Sequence, residues 1–512
     1  MNTSPGVEER SSELRPGYSL AKAAARALML DPMRHAVEYK ESWITYGDLR
    51  RLADRVKELI ALSGADERAP VAFAPRNRPS AIAALMALIA DARNIRMVYA
   101  FQSGAAMART LERLRASIFI GDQQDFTPEL IDQLRRDGMA GIILSEMAAE
   151  MAPDVDRVTR LTDPDASVSP CLQILTSGTT GQPKLWPLPY QQLEQRFITA
   201  NVAFGKESTL SEQEPSLVYY PMSNISGLYS VLPIMLAGEK IVLQEKFSFD
   251  AWRDYVRRFK PAEIHLPPVG VRMLLEANVP PEELANAKHL RSGTTVLDLE
   301  LQRAFEERYK VPILLSYGAT EFGGVVCTMT PELITEWGNR KIGSNGRAYP
   351  PAKLRVVDPE TGVVLPPGGE GLIEVFVPQV TDGWARTSDI GMMDEDDFLY
   401  VRGRADGAII RGGFKLLPEI IEKALMLHPA VHSAAVVGIE DRRLGQVPGA
   451  VIECKPAARA PSIEELESHL RAHVPATHIP VAWRFVKELP RTASLKVQRK
   501  SVMDLFQSTQ MS

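Results

Sequence analysis

The chain has 512 residues, 45% of them hydrophobic and 24% charged, a globular balance that excludes disorder throughout. At about 150 residues per domain, this length corresponds to roughly three domains, or one large core with a smaller one. Fifty-nine Lys and Arg against 64 Asp and Glu leave a net charge of −5, so a general affinity for nucleic acid, which needs a basic face, is excluded too.

Residues 1–17 are polar, carry Glu8, Glu9 and Glu13, and lack an apolar core. They read as a frayed tail and not as a secretory signal. Residues 70–74 read as a strand and 80–89 as a helix. The apolar run 81–90 is about half the length needed to cross a bilayer, so it is expected to be a buried helix with no membrane span. Strand 117–120, helix 128–136 and strand 141–144 follow, then strands at 172–175, 217–220, 240–243 and 263–266 with helices between. Helix 298–309 leads into strand 311–316. Buried strands alternating with helices imply an α/β architecture with largely parallel sheets. After about residue 338, dense Pro, Gly and charged turns separate short strands at 354–357 and 372–377, which predicts an antiparallel, barrel-like part. From about Gly403 a compact α+β unit is expected: helices 418–427 and 463–472, strands 434–437, 449–453 and 483–486. The expected division is a large domain over 18–403 and a small one over 404–512. The three cysteines, Cys171, Cys327 and Cys454, are odd in number and far apart, which fits a reducing, cytoplasmic setting.

The most informative segment is Leu175-Thr176-Ser177-Gly178-Thr179-Thr180-Gly181-Gln182-Pro183-Lys184, directly behind an apolar strand. Gly178 and Gly181 permit close approach of backbone to a ligand, the hydroxyls and successive N–H groups can cradle an anion, and Lys184 adds a positive charge. It is not the nucleoside-triphosphatase P-loop, which requires GxxxxGK followed by Ser or Thr at a helix start. Here Pro183 removes an N–H and turns Gln182 away from the helical region.

These residues resemble the signature of the acyl-adenylate-forming superfamily of acyl-CoA synthetases, luciferases and peptide-synthetase adenylation modules. Three further segments resemble its other signatures in order: Ser316-Tyr317-Gly318-Ala319-Thr320-Glu321, Gly383-Trp384-Ala385-Arg386-Thr387-Ser388-Asp389, and Leu489-Pro490-Arg491-Thr492-Ala493-Ser494-Leu495-Lys496-Val497. The resemblance spans nearly the whole chain, from about Thr45 to Lys496. It implies ATP, Mg²⁺ and coenzyme A as ligands. Residues Thr176 to Gly181 and Lys184 would hold phosphates. Ser316, Tyr317 and Gly318 would meet adenine, Thr320 would offer a hydroxyl and Glu321 a hard carboxylate for Mg²⁺. Asp389 would bind the ribose hydroxyls, with Arg404 as a second contact. Asp406 would be the hinge about which the small domain alternates, and Lys496 would reach in during adenylation. Gly412, Gly413, Phe414 and Lys415 would face the thiol. By the same alignment Asn224, Ile225, Ser226, Gly227, Gly293, Thr294, Thr295, Ala319 and Phe322 would line the acid pocket.

Several positions depart from the family pattern. Asn224 replaces its usual His, and a neutral amide there argues against an α-amino acid substrate. Leu495 replaces the glycine before the lysine, and segment 377–384 is short. His469 and His473 stand at i, i+4, but no third ligand accompanies them, so a solvated face is expected. The implied chemistry is carboxylate attack on MgATP to give acyl-AMP, then thioester formation. Neutral pocket residues suit a fatty or aromatic acid, with a monomer or homodimer expected. Two other readings stand beside it: loading of a carrier protein, and a nucleotide-binding scaffold that has lost catalysis.

Overall fold

The computed structural model describes residues 19–160, 170–176, 184–203, 214–293, 295–378, 380–405, 407–411, 414–441, 444–456, 459–492 and 495–507. The tail 1–17 lies outside them.

Of the predicted strands, 217–220 and 240–243 pair in a four-stranded sheet, while 70–74, 117–120, 141–144 and 172–175 join a separate seven-stranded one. Its inner strands, Ala140–Leu144, Ile118–Asp122, Val71–Ala74, Ile95–Met97 and Cys171–Thr176, run parallel, and an antiparallel strand closes each edge. The run expected as a buried helix is Pro79–Ala90, started by proline at its first turn and buried at every residue from Pro79 to Ile89. It shares one core with helices Leu20–Leu28, Tyr46–Leu62 and Ile225–Leu236. Helix Tyr46–Leu62 begins at a capping box in which Thr45 and Asp48 satisfy each other's backbone N–H groups. Among the described residues, no helix is long and apolar enough to cross a membrane.

A second sheet orders strands Glu263–His265, His289–Ser292, Ile313–Ala319, Gly324–Thr328 and Arg347–Ala348. Its first three are parallel and covered by helices such as Phe249–Phe259 and Leu299–Tyr309, around fully buried Phe305 and Trp252. The Pro- and Gly-rich stretch forms a four-stranded antiparallel sheet, Lys353–Val357, Glu370–Phe376, Ala385–Met393 and Leu399–Arg404. Its two outer strands do not pair with one another, so the barrel-like part is an open sheet and no closed barrel. From Ile409 on, the chain builds two apolar clusters containing only its own residues, around long paired strands Val431–Asp441 and Gly445–Cys454. The result is a mixed α/β fold with a large and a small part.

Candidate active site

One continuous cavity of about 2330 Å³ gathers residues from every sheet end described above. That exceeds the roughly 300–1,000 Å³ of an ordinary small-molecule pocket, so there is room for a nucleotide and a second ligand.

One wall of the cavity is made by two sheets. Strand Ile313–Ala319 turns through the 3-10 segment Thr320–Phe322 into strand Gly324–Thr328. The turn is closed by Gly323 at φ 67°, in the left-handed region that suits glycine. At Gly318 a Cβ would stand 2.3 Å from the Gly324 carbonyl oxygen, so only glycine fits beneath the crossing strand. The hairpin brings Tyr317 beside Asp389 of strand Ala385–Met393, and the phenol donates to Oδ2 at 2.7 Å. Burial and the carboxylate push the Tyr317 phenol well above its ordinary range, so it remains a donor. Arg404 faces Asp389 across the strand pair, with Nη1 3.7 Å from Oδ1. Asn345 ties the two sheets together. Its Nδ2 donates to the Ser316 carbonyl at 3.2 Å, and its Oδ1 accepts from the Val401 N–H at 3.2 Å.

Thr176 and Lys184 face each other at the base of an antiparallel hairpin, with Lys184 lining the cavity. Residues 177–181 lie outside the described residues, as do Thr294, Asp406, Gly412 and Gly413. Phe414 belongs to strand Phe414–Leu416, which also carries Lys415; their side chains are likewise outside the description.

Lys496 enters the same cavity from the small C-terminal part. Its side chain is wetted by the open cavity but walled by protein. This enclosure, together with the Arg404 cation, lowers the ammonium below the usual lysine range, while Asp389 acts the other way. The lysine sits on a tight turn. The Thr492 N–H donates to the Lys496 carbonyl at 2.7 Å, and the Lys496 N–H donates to Thr492 Oγ1 at 3.1 Å. Leu495 adopts φ 64°, in the left-handed region that glycine takes without strain, so the departure from the expected glycine carries a backbone cost. Two ion pairs join this part to the rest of the molecule. Lys423 Nζ lies 3.1 Å from Asp298, and His432 bridges Glu276 at 3.4 Å and Glu453 at 3.5 Å.

Elsewhere in the cavity, at the positions expected to line an acid pocket, Asn224 caps helix Ile225–Leu236, its side chain accepting from the Gly227 N–H at 3.4 Å. Asn224, Ile225 and Ser226 line the cavity with Gly293, Thr295, Ala319 and Phe322. Gly227 does not line it. A Cβ there would lie 2.0 Å from the Pro221 carbonyl oxygen, so its role is close backbone packing. Sequence reasoning missed Trp186 and Tyr229, which also line the cavity, and Arg196 behind it. Arg196 is 4% exposed; its Nε donates to the Gly323 carbonyl at 3.2 Å and its Nη2 to the Val325 carbonyl. The Tyr229 hydroxyl also donates to the Gly323 carbonyl.

No group of three or more His, Cys, Asp or Glu that could hold a metal occurs among the described residues. A lone carboxylate such as Glu321 suits Mg²⁺, which takes one or two carboxylates together with phosphate oxygens. The cations Lys184, Arg404 and Lys496 suit a polyphosphate.

A sequence model described as AMP-binding enzyme matches residues 25–384, and its C-terminal domain model matches 420–496. The indoleacetate–CoA ligase of Aromatoleum aromaticum is 28% identical, over 93% of this chain and 96% of its own. The sulfoacetate–CoA ligase of Cupriavidus necator is 32% identical over 67% of each chain. Among solved structures, ATP-bound MatB from Rhodopseudomonas palustris superposes with a TM-score of 0.79 at 22% identity, covering 96% of this chain and 99% of that one.

Proposed function

The chain belongs to the AMP-binding enzyme family, and from that premise we propose that it is an acid–thiol ligase joining a carboxylic acid to coenzyme A through an acyl-adenylate. The observation that carries this reading is the convergence of Tyr317, Asp389, Arg404 and Lys496 on one cavity wall, from segments far apart in sequence.

In the first half-reaction a carboxylate oxygen of the acid attacks the α-phosphorus of ATP. The bond to the bridging oxygen breaks and pyrophosphate leaves. The protein's part is placement and charge stabilisation. Tyr317 and Asp389 hold the nucleoside, with Arg404 steadying the Asp389 carboxylate. Lys184 and the hairpin loop meet the outer phosphates, and Lys496 spans the acid and the α-phosphate. Glu321 would hold Mg²⁺, which would supply further neutralisation of phosphate charge. In the second half-reaction the small part, residues 404–512, turns about Asp406 and withdraws Lys496. Segment 411–415 then faces the incoming thiol, whose sulfur attacks the acyl carbonyl as AMP leaves.

The acid-facing wall is neutral, and relatives named for indoleacetate and 2-succinylbenzoate support an aromatic acid, with a fatty acid as the other candidate. The enzyme acts in the cytoplasm as a monomer or homodimer. Acid-dependent exchange of labelled pyrophosphate into ATP, across a panel of carboxylic acids, tests the reading; thioester formation with coenzyme A follows for the best acid. Bound ATP without exchange for any acid would instead identify a lapsed scaffold. Transfer to a carrier protein's phosphopantetheine but not to coenzyme A would identify a carrier-loading enzyme.

A further inference from the structure

Helix Ile225–Leu236 has two unlike faces. Leu228, Val231, Leu232 and Met235 are fully buried in the main core. The other face presents Ile225, Ser226, Tyr229, Ser230 and Pro233 to the cavity, followed by Ala237 just beyond the helix end. The spacing of three to four residues makes this one continuous stripe. Its residues are half-buried from Ile225 to Pro233, and Ala237 is exposed. The acid-facing side is therefore not closed. It continues as a groove along the helix, about 18 Å for twelve residues at 1.5 Å each. The groove opens at a rim where Arg34 donates to the Gly238 carbonyl at 2.7 Å and Lys240, beside Glu239, stands 5.9 Å from the Trp43 ring centre.

Two hydroxyls on this stripe are engaged within the protein. The Ser230 hydroxyl donates to the Ser226 carbonyl at 2.8 Å, and the Tyr229 hydroxyl donates to the Gly323 carbonyl. With those donors engaged, the wall offers mainly methylene, ring and pyrrolidine surface. Such a surface rewards burial of apolar area and makes no directional demand.

We propose that this groove seats the tail of an elongated acid, an alkyl or arylalkyl carboxylic acid too long for the pocket beside Asn224, with its far end at the Arg34–Lys240 rim. The inference rests on the ligase reading above and specifies its substrate class. Its occupant is argued from continuity: the groove starts beside Asn224, where the proposed pocket holds the acid, and runs without a break in the lining to the rim.

The test uses the full chain and a series of linear monocarboxylic acids of increasing length, assayed by pyrophosphate exchange and, without ATP, by calorimetric binding. The expected result is a kcat/KM that rises with chain length until the groove is filled. Ser230→Trp, midway along, should reduce the long-to-short kcat/KM ratio by at least about tenfold. Ala237→Trp should affect only the longest acids. A graded cut-off that follows the position of the tryptophan is not a property of general damage, and Ser230→Leu provides a milder block should the first variant fold poorly. Length-dependent binding that Ser230→Trp removes, without exchange for any acid, would uphold the groove and refute the ligase reading. A kcat/KM that is flat or falls with length, or equal losses for short and long acids in both variants, would overturn the groove.

Discussion

Tyr317 and Asp389 stand 72 residues apart in the chain, and one short hydrogen bond makes them a unit. Tyr317→Phe deletes the donor but keeps the ring. Since a bond to a charged acceptor contributes about 1.5–3 kcal/mol, the KM for ATP should rise on the order of tenfold while the fold is retained. Steady-state kinetics with varied ATP measures this. Lys496 is the group on which the two half-reactions should part company. Lys496→Ala should slow adenylation by on the order of a hundredfold or more, yet spare thioester formation from preformed acyl-AMP. Equal losses in both halves would refute its role. Leu495 was legible as a departure from glycine, but only the backbone shows what the departure costs. A non-glycine residue in the left-handed region carries about 1–2 kcal/mol of strain, and glycine's extra freedom when unfolded offsets roughly 0.5–1 kcal/mol. Leu495→Gly should therefore raise stability to urea by between zero and about 1.5 kcal/mol.

At the scale of elements, the parallel strands were legible because buried strands are apolar at successive positions. Strands 70–74 and 141–144 are found within a residue of their expected places, at Val71–Ala74 and Ala140–Leu144. The hairpin His35–Tyr39 with Ser42–Thr45 went unread, because Glu38 lies within its apolar run and a tight turn with Lys40 and Glu41 at positive φ carries no glycine. Glu38 is buried against Arg258 at 2.6 Å, a pairing no local pattern reveals. Another hidden clip joins the 3-10 segment Pro281–Leu284 to helix Phe249–Phe259 through Glu283, 2.6 Å from Arg253 and 2.8 Å from Arg257. The hydrogen bond from Arg253, followed by that from Arg257, lowers the Glu283 carboxyl from 4.5 to about 2. Its contribution is present in full above the unfolded value and is lost as pH falls through the folded one, between about 4.5 and about 2. Because both arginines are partly solvated, about 1 kcal/mol is expected. Glu283→Gln should flatten that part of the acid unfolding curve, followed by circular dichroism.

For the whole molecule, motif order pointed to a large part and a small part, but nothing in the sequence located the contacts between them. His432 and Glu276 lie far apart in sequence, as do Lys423 and Asp298, and these pairs hold the arrangement that places Lys496 in the cavity. The hydrogen bond to Glu276 raises the His432 imidazole, against burial; Glu276 and Glu453 support the cation and Arg272 opposes it. The pair's contribution is thus complete below 6.5 and disappears as pH rises through the higher folded value. Glu276→Gln combined with Asp298→Asn should favour the alternate arrangement. Adenylation should fall several-fold relative to thioester formation from acyl-AMP, and the ratio should lose its pH dependence near neutrality. The acid wall has a separate consequence. One part of that wall is a single helix face, Ile225 to Pro233, separate in sequence from the strands tied together by Asn345, while Gly293, Thr295, Ala319 and Phe322 supply the rest. Lineages can therefore rewrite the helix face, trading one acid for another, without disturbing the phosphate chemistry. This division of labour lets a scaffold diversify its substrates by a few replacements, and it marks Ser226, Ser230 and Pro233, but not Tyr229 with its bond to the Gly323 carbonyl, as the positions where directed evolution of this chain should begin.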